Sequence, residues 1–219
     1  MIFKKLLNVA HKKAVFQRRV RVLSSRTAQS LPDHGSVLDL GCGTGEIARA
    51  VMGAKPGLSF EGIDVFLRPQ VFIPAREYDG HTIPYGDRSF DWVTIVDVLH
   101  HTDDPAAVLR EAVRVAGKGV VIKDHLRQGL GARQVLRVMD WVGNRGHDVR
   151  LPYNYLSRPE WTAIIDGLGL TVSGWEERIG LYPFPIDLVF GRSLHFVATL
   201  TVPAVAGAVA DRTHLVRSA

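Results

Sequence analysis

Residues 37–48 read VLDLGCGTGEIA, and no other run in the chain constrains the fold as tightly. Val37, Leu38 and Leu40 make a buried-strand pattern that carries Asp39 near its end. The chain then breaks into Gly41, Gly43 and Gly45 and resumes as a helix from about Glu46. Glycines at alternate positions let the backbone turn sharply and lie against a ligand with no Cβ in the way. The helix that follows presents unpaired N–H groups to the same ligand. Further on, the second strand, FEGIDV, ends in Asp64, placed to hold a ribose diol with its two carboxylate oxygens. A strand, glycine bend, helix and strand in that order predict an α/β fold that binds a nucleoside-containing ligand.

The nicotinamide fingerprint G-x-G-x-x-G is not met. Gly41 and Gly43 fit it, but Glu46 stands at the third position and the extra glycine falls at Gly45. Asp39 lies where a pyrophosphate would come near, an awkward place for a carboxylate. A ligand carrying an ammonium and a sulfonium suits it, because opposite charges within about 4–6 Å stabilise each other. S-adenosylmethionine has that charge pattern and a ribose for Asp64. Downstream, Asp79-Gly80 is followed by HTIPYGDRSFDWV, and then FDWVTIVDVLHHTDDP reads as a strand running into a helix. With these segments the chain resembles the class I S-adenosylmethionine-dependent methyltransferases over roughly residues 30–200. It is most similar to the small-molecule branch that includes ubiquinone-type methyltransferases.

The resemblance implies a Rossmann-like α/β fold. Its seven-stranded, mostly parallel sheet has the order 3-2-1-4-5-7-6, with the last strand antiparallel and helices on both faces. It implies S-adenosyl-L-methionine as cofactor and S-adenosyl-L-homocysteine as product. The cofactor-binding positions on this reading are Asp39, Gly41, Cys42, Gly43, Gly45, Asp64, Val65, Asp79, Gly80 and Asp97. Asp79 is matched to the family's contact with the adenine amino group, although an Asx-turn before Gly80 would also explain an Asp there. One departure stands out. Between Asp64 and Asp79 the family carries a helix, whereas here Pro69 and Pro74 interrupt VFLRPQVFIPARE. Proline disfavours helix interiors, so an irregular loop is expected.

At 219 residues the chain suits one well-packed domain better than two. Its single cysteine, Cys42, excludes an internal disulfide framework and points to a reducing cytoplasm. Inside the glycine bend, Cys42 reads as a small residue packed near the cofactor rather than a catalytic thiol. No run of eighteen apolar residues occurs, so no membrane span is expected. Residues 1–35 hold Lys4, Lys5, Lys12, Lys13, Arg18, Arg19, Arg21 and Arg26 against Asp33 alone. That is +7, where the whole chain carries +5. Ile2, Leu6, Val9, Phe16, Val20 and Leu23 recur near helical spacing, which predicts one or two amphipathic helices. We expect residues 1–30 to form a basic helical appendage lidding the site, residues 31–202 the cofactor-binding domain and residues 203–219 a tail that frays. Peripheral membrane contact through the basic segment is an open alternative. Nucleic acid is disfavoured, because aromatics are not interleaved with the charges. The oligomeric state is not readable.

Later elements follow from pattern. Gly53 is expected to end the first core helix. Asp103 or Asp104 can cap a helix with Pro105 in its first turn and an end near Gly117. Residues 119–125, GVVIKDH, read as a buried parallel strand, and residues 127–143 as a helix. Ser157 and Glu160 form a capping-box pattern. Residues 171–179 and 192–202 read as two strands joined by a Pro-rich link containing Pro183 and Pro185.

Methyl transfer is an in-line displacement that requires the acceptor to be aligned. For a hydroxyl or an acidic carbon it also requires a proton to be removed, a task for which His is best suited near neutral pH. Two places offer one: His100-His101 after the fourth strand and Lys123-Asp124-His125 after the fifth. His125 or His101 is the expected base, oriented by Asp124 or Asp97. His147, Tyr153 and Tyr155 are expected in the acceptor pocket. No metal is expected, since no recognised ligand spacing is present. The acceptor expected is a small organic molecule methylated on O, N or C. The alternative is a protein that binds the cofactor without methylating, as a binding module or a catalyst of ring closure or rearrangement.

Overall fold

The computed structural model describes residues 2–144, 151–191 and 193–203, with backbone alone for residues 2–14 and 143–144. His147 and nearly all of the 203–219 segment lie outside the described residues. The elements are α1 (Ile2–Ser30), β1 (His34–Leu40), α2 (Glu46–Ala54), β2 (Gly57–Asp64), β3 (Ala75–Glu77), β4 (Phe90–Val96), α3 (Pro105–Val115), β5 (Ala116–His125), α4 (Ala132–Asn144), α5 (Arg158–Gly167), β6 (Thr171–Glu176), α6 (Asp187–Phe190) and β7 (His195–Thr201). A single 3₁₀ turn spans Leu99–His101.

The strands form one sheet in the order β3-β2-β1-β4-β5-β7-β6. All neighbours are parallel except β7, which runs antiparallel to both β5 and β6. The apolar runs in the central strands are explained by burial on both faces. Leu38 and Leu40 of β1 pack with Ile95, Ile122, Leu109 of α3 and Trp161 of α5 on one side. Val37 faces the other way and packs with Val121, Val51 of α2 and Leu23 and Ala28 of α1. Each such aliphatic side chain contributes about 1.5–3 kcal/mol by leaving water. Helix α1 is one continuous element, and its C-terminal half shares this second core with the sheet.

Capping follows the sequence signals. Asp104 accepts the Ala107 amide at 2.9 Å and Pro105 opens α3. Glu160 accepts the Ser157 amide at 2.7 Å at the start of α5. Four boundaries differ from expectation. Helix α2 runs one residue past Gly53 to Ala54. Helix α3 ends at Val115, and its C-cap Ala116 is already extended, so β5 begins without a loop and Gly117 lies inside it. Helix α4 starts only at Ala132, because Gly129 and Gly131 adopt positive φ. The Pro-rich link holds the short α6. Residues 65–74 contain no helix, as Pro69 and Pro74 require.

Candidate active site

The glycine bend leaves β1 and is pinned to the end of β2, where Ile63 O accepts the amides of Gly41 at 2.8 Å and Cys42 at 3.2 Å. Gly41 has φ +72°, and a Cβ there would lie 2.3 Å from a Val98 methyl, so only glycine fits. Gly43, at φ +56°, faces open space with no heavy atom within 4 Å of a built Cβ. That opening is the cradle a cofactor's backbone-contacting edge needs. Gly45 caps α2 in the left-handed conformation with no side-chain hydrogen bond, leaving the first N–H groups of α2 directed outward.

Asp64 ends β2 beside this opening. Its Oδ2 accepts the Gly43 amide at 2.8 Å and its Oδ1 the Phe66 amide at 3.2 Å. Each oxygen keeps a lone pair for a hydroxyl. Val65 is exposed and stands across from Gly80, whose built Cβ would lie 3.1 Å from a Val65 methyl. The two residues are therefore close neighbours. Asp79 places Oδ1 on the amides of His81 and Thr82, both at 2.7 Å, which is Asx-turn geometry and leaves Oδ2 uncommitted. Cys42 packs over Gly62, where a built Cβ would lie 2.6 Å from its sulfur. Burial and then Asp39 push the Cys42 thiol up to about 12, so it is no nucleophile at neutral pH.

Asp39 is buried and accepts the Thr94 hydroxyl at 2.7 Å. Burial raises its pKa from 3.8 to about 7. The Thr94 bond pulls it down and the charge of Asp64 adds to the rise. Its carboxylate is therefore favoured in the unfolded chain, and stability drains away as pH climbs from about 4 to about 7. A cationic ligand reverses the balance by favouring the ionised form. Below pH 7, S-adenosylmethionine binding is expected to expel nearly one proton and to weaken about tenfold per pH unit. Calorimetry in buffers of different ionisation heat measures this directly. Identical heats in both buffers a unit below pH 7 would refute Asp39 as the responding group.

At the carboxyl ends of β4 and β5 and the amino end of β7 lies a second cluster. The 3₁₀ turn after β4 swings His100 inward, so that its Nδ1 meets Asp124 Oδ1 at 2.6 Å. Asp124 also accepts the Leu99 amide at 2.9 Å and the His125 amide at 2.6 Å. His125 Nδ1 lies 3.2 Å from His100 Nδ1. Asp140 of α4 stands 3.6 Å from His100 Nε2 and 3.7 Å from His125 Nε2, and accepts the Tyr155 hydroxyl at 2.5 Å. Burial opposes the charge on His100, but Asp124 outweighs it and the pKa rises. His125 is depressed, first by burial and then by His100. Asp124 is held far below the carboxylate range, because His100 and His125 overcome the cost of its burial.

Asp97 sits at φ +57° just past β4. One oxygen takes Lys123 Nζ, and the other takes the Arg19 guanidinium of α1 at 2.6 Å. Burial works against its charge, yet Lys123 and Arg19 hold its pKa well below the usual value. Asp97, His100, Asp124 and His125 each bring one ligand atom within 4.8 Å of the others, a clustering that sequence spacing did not reveal. Their charges are already matched by Lys123, Arg19 and the proton on His100.

Most of the sequence-derived positions converge on these two clusters. His101 does not join the Asp124 pair. Its Nδ1 has no hydrogen-bond partner, and burial followed by the charge of His100 lowers its pKa to about 4. Asp124 orients His100 in its place. Tyr155 reaches the cluster through Asp140, and Tyr153 packs near Tyr155 with ring centroids 6.2 Å apart. Asp140 and His195 went unread. His195 starts β7 with its ring 5.0 Å from that of His125. The available signals were a lone acid on the buried stripe of α4 and a lone His opening an apolar strand.

Comparison with known proteins bears on this geometry. A methyltransferase domain family matches residues 11–173. The ubiquinone biosynthesis O-methyltransferase of Methylococcus capsulatus is 30% identical over 196 residues, covering 78% of each chain. The demethylmenaquinone methyltransferase of Thermotoga maritima is 36% identical over 86 residues, 36% of this chain and 38% of that one. With the Thermotoga maritima protein and one from Synechocystis, the match spans about two fifths of the relative's length, 38% and 41%. Among solved structures, an S-adenosylmethionine-dependent methyltransferase from Mesorhizobium loti superposes with a TM-score of 0.58 at 18% identity, covering 79% of this chain and 94% of that one. The [4+2]-cyclase SpnF gives 0.59 at 18%, covering 83% and 81%. The strand order and the family match define a class I methyltransferase architecture. The chain belongs to the methyltransferase domain family, whose cofactor is S-adenosylmethionine.

Proposed function

We propose that this chain methylates a hydroxyl or an acidic carbon of a small aromatic acceptor of the hydroquinone or phenol type, leaving S-adenosylhomocysteine. The observation that carries the reading is the His100–Asp124–His125 group at the ends of β4 and β5, where a doubly wound sheet presents its ligands. The acceptor type is supported by the quinone-pathway names of its relatives.

When bound, the cofactor supplies an electrophilic methyl group. Gly41, Cys42, Gly43 and Gly45 shape the bend against it. Asp39 faces its cationic end, Asp64 takes the ribose hydroxyls, and Val65, Asp79 and Gly80 flank the adenine. Asp124 fixes the charged His100 ring, and His125, kept neutral by burial and by that neighbouring charge, takes the proton that the acceptor gives up. Asp97 acts at one remove from the cofactor by positioning Lys123 at the mouth of this pair. No metal is needed on this reading, since the three carboxylates around the cluster face Lys123, Arg19 and a protonated histidine. The lone thiol and the acceptor chemistry suit a cytoplasmic enzyme.

The test is turnover. The protein is incubated with labelled S-adenosylmethionine and a panel of catechols, phenols and hydroquinones. Acceptor-dependent S-adenosylhomocysteine is the expected product. Tight cofactor binding without that product for any acceptor would replace methyl transfer with a binding or rearrangement role.

A further inference from the structure

The outer faces of two elements that wall the histidine cluster are unusually apolar. Leu130, Val138 and Val142 are exposed along α4 and the segment leading into it, and Phe184, Ile186 and Leu188 are exposed in and before α6. Leu130 is 97% exposed and Phe184 81%. α4 and α6 pack against each other, so the two apolar runs are neighbours. Apolar exposure on that scale marks an interaction surface.

The charges around it are one-sided. Between residues 127 and 142 the exposed charged side chains are Arg127, Arg133 and Arg137, while the only acid there, Asp140, is buried. In 183–189 the only acid is the half-buried Asp187. Arg18 of α1 donates to the carbonyls of Gly180 and Leu181, both at 3.1 Å. This ties a helix with eight Lys/Arg and no acid to the root of the apolar segment. Arg127 is paired with the exposed Glu160 at 2.7 Å, but Arg133 and Arg137 border the apolar side chains in a segment whose own acid is buried, and such a face complements an anionic lipid surface.

The inner faces of the same elements reach the cluster. Asp140 of α4 faces His100 and His125. On the other side, Phe190 O lies 3.0 Å from His195 Nε2 and the Tyr182 ring lies 5.8 Å from that of His195. The apolar face is therefore carried by the same elements that wall the cluster.

We propose that the α4–α6 face docks on an anionic bilayer surface and that this chain takes an amphiphilic acceptor from it. The docking itself stands independently of methyl transfer and is measured without cofactor or acceptor.

The experiment is co-sedimentation of the full chain with vesicles of phosphatidylcholine alone or mixed equally with phosphatidylglycerol. Binding to the anionic vesicles is expected, reduced by high salt and weaker on phosphatidylcholine. The double variant Phe184→Ser/Leu188→Ser, altered only at exposed positions, is expected to lose at least about tenfold in partitioning with an unchanged melting temperature. Arg133→Glu, which leaves the apolar face intact, is expected to weaken binding to the anionic vesicles alone. Wild-type protein that stays in the supernatant with both vesicles overturns the proposal. So does a double variant that binds like wild type, which would assign docking to the basic helix. Wild-type self-association abolished by the double variant, with no vesicle binding, would identify a second copy as the occupant and also overturn it.

Discussion

Replacing Asp124 by Ala is expected to destabilise the protein by about 3–5 kcal/mol, because it strands a buried charged histidine, and to lower Tm by about 10 °C. Asp124 is fully enclosed and accepts from three donors: the His100 ring, the Leu99 amide and the His125 amide. The milder Asp124→Asn change retains the shape but removes the charge that holds the proton on His100. The signs follow from the two shifts. His100, raised in the folded state, contributes stability that is complete below its unfolded value of 6.5 and is lost as pH rises through its folded value. Asp124, lowered in the folded state, contributes stability present above 3.8 and lost only under strong acid. The pair is therefore at full strength between about 4 and 6.5. Ring-proton NMR of wild type should show one histidine titrating above 6.5, and that midpoint should fall in Asp124→Asn. A set of histidines that all titrate at or below the ordinary value would remove the basis for a charged His100–Asp124 pair. It would leave Asp124 with a purely structural part.

Removing the Asp64 carboxylate is the second large effect. Asp64→Ala should weaken S-adenosylmethionine binding by about 1.5–3 kcal/mol, since two hydroxyl-to-carboxylate bonds are lost. That is roughly a 10- to 150-fold rise in Kd. The Gly43 amide also loses its acceptor at 2.8 Å, so part of the loss would come from a loosened bend. Adenosine and 2′,3′-dideoxyadenosine separate the contributions. Both carry the adenine, but the second lacks the ribose diol and should respond to the substitution only through the loosened bend. Equal affinities for wild type and Asp64→Ala, measured by calorimetry, would dismiss Asp64 as the sugar's partner.

The proposed cofactor half of the site was legible in sequence because its parts are local. Asp39, the three glycines and Asp64 lie within one strand–helix–strand unit, and backbone geometry alone places them. The strand order was a different matter: apolar runs identify strands, but the order came through family resemblance. The catalytic half was only partly legible. His100, Asp124, Asp140 and His195 come from four separate elements, and only the assembled sheet brings them together. Adjacent His100 and His101 differ by which way one 3₁₀ turn points them, and no periodicity encodes that. Gly117 read as a helix terminator, yet extended backbone at Ala116 had already ended the helix. The α6 turn was hidden because four residues just after Pro185 carry no periodic signal.

The first helix has a consequence for anyone trimming this protein. Arg19 neutralises one oxygen of Asp97 while Lys123 neutralises the other, and Leu23 lies inside the sheet's own packing. Shortening the chain from its front would thus be felt some eighty positions later in sequence, at a carboxylate suddenly left with a single counterion next to the proposed base. A truncated form would differ in its chemistry as well as in its size.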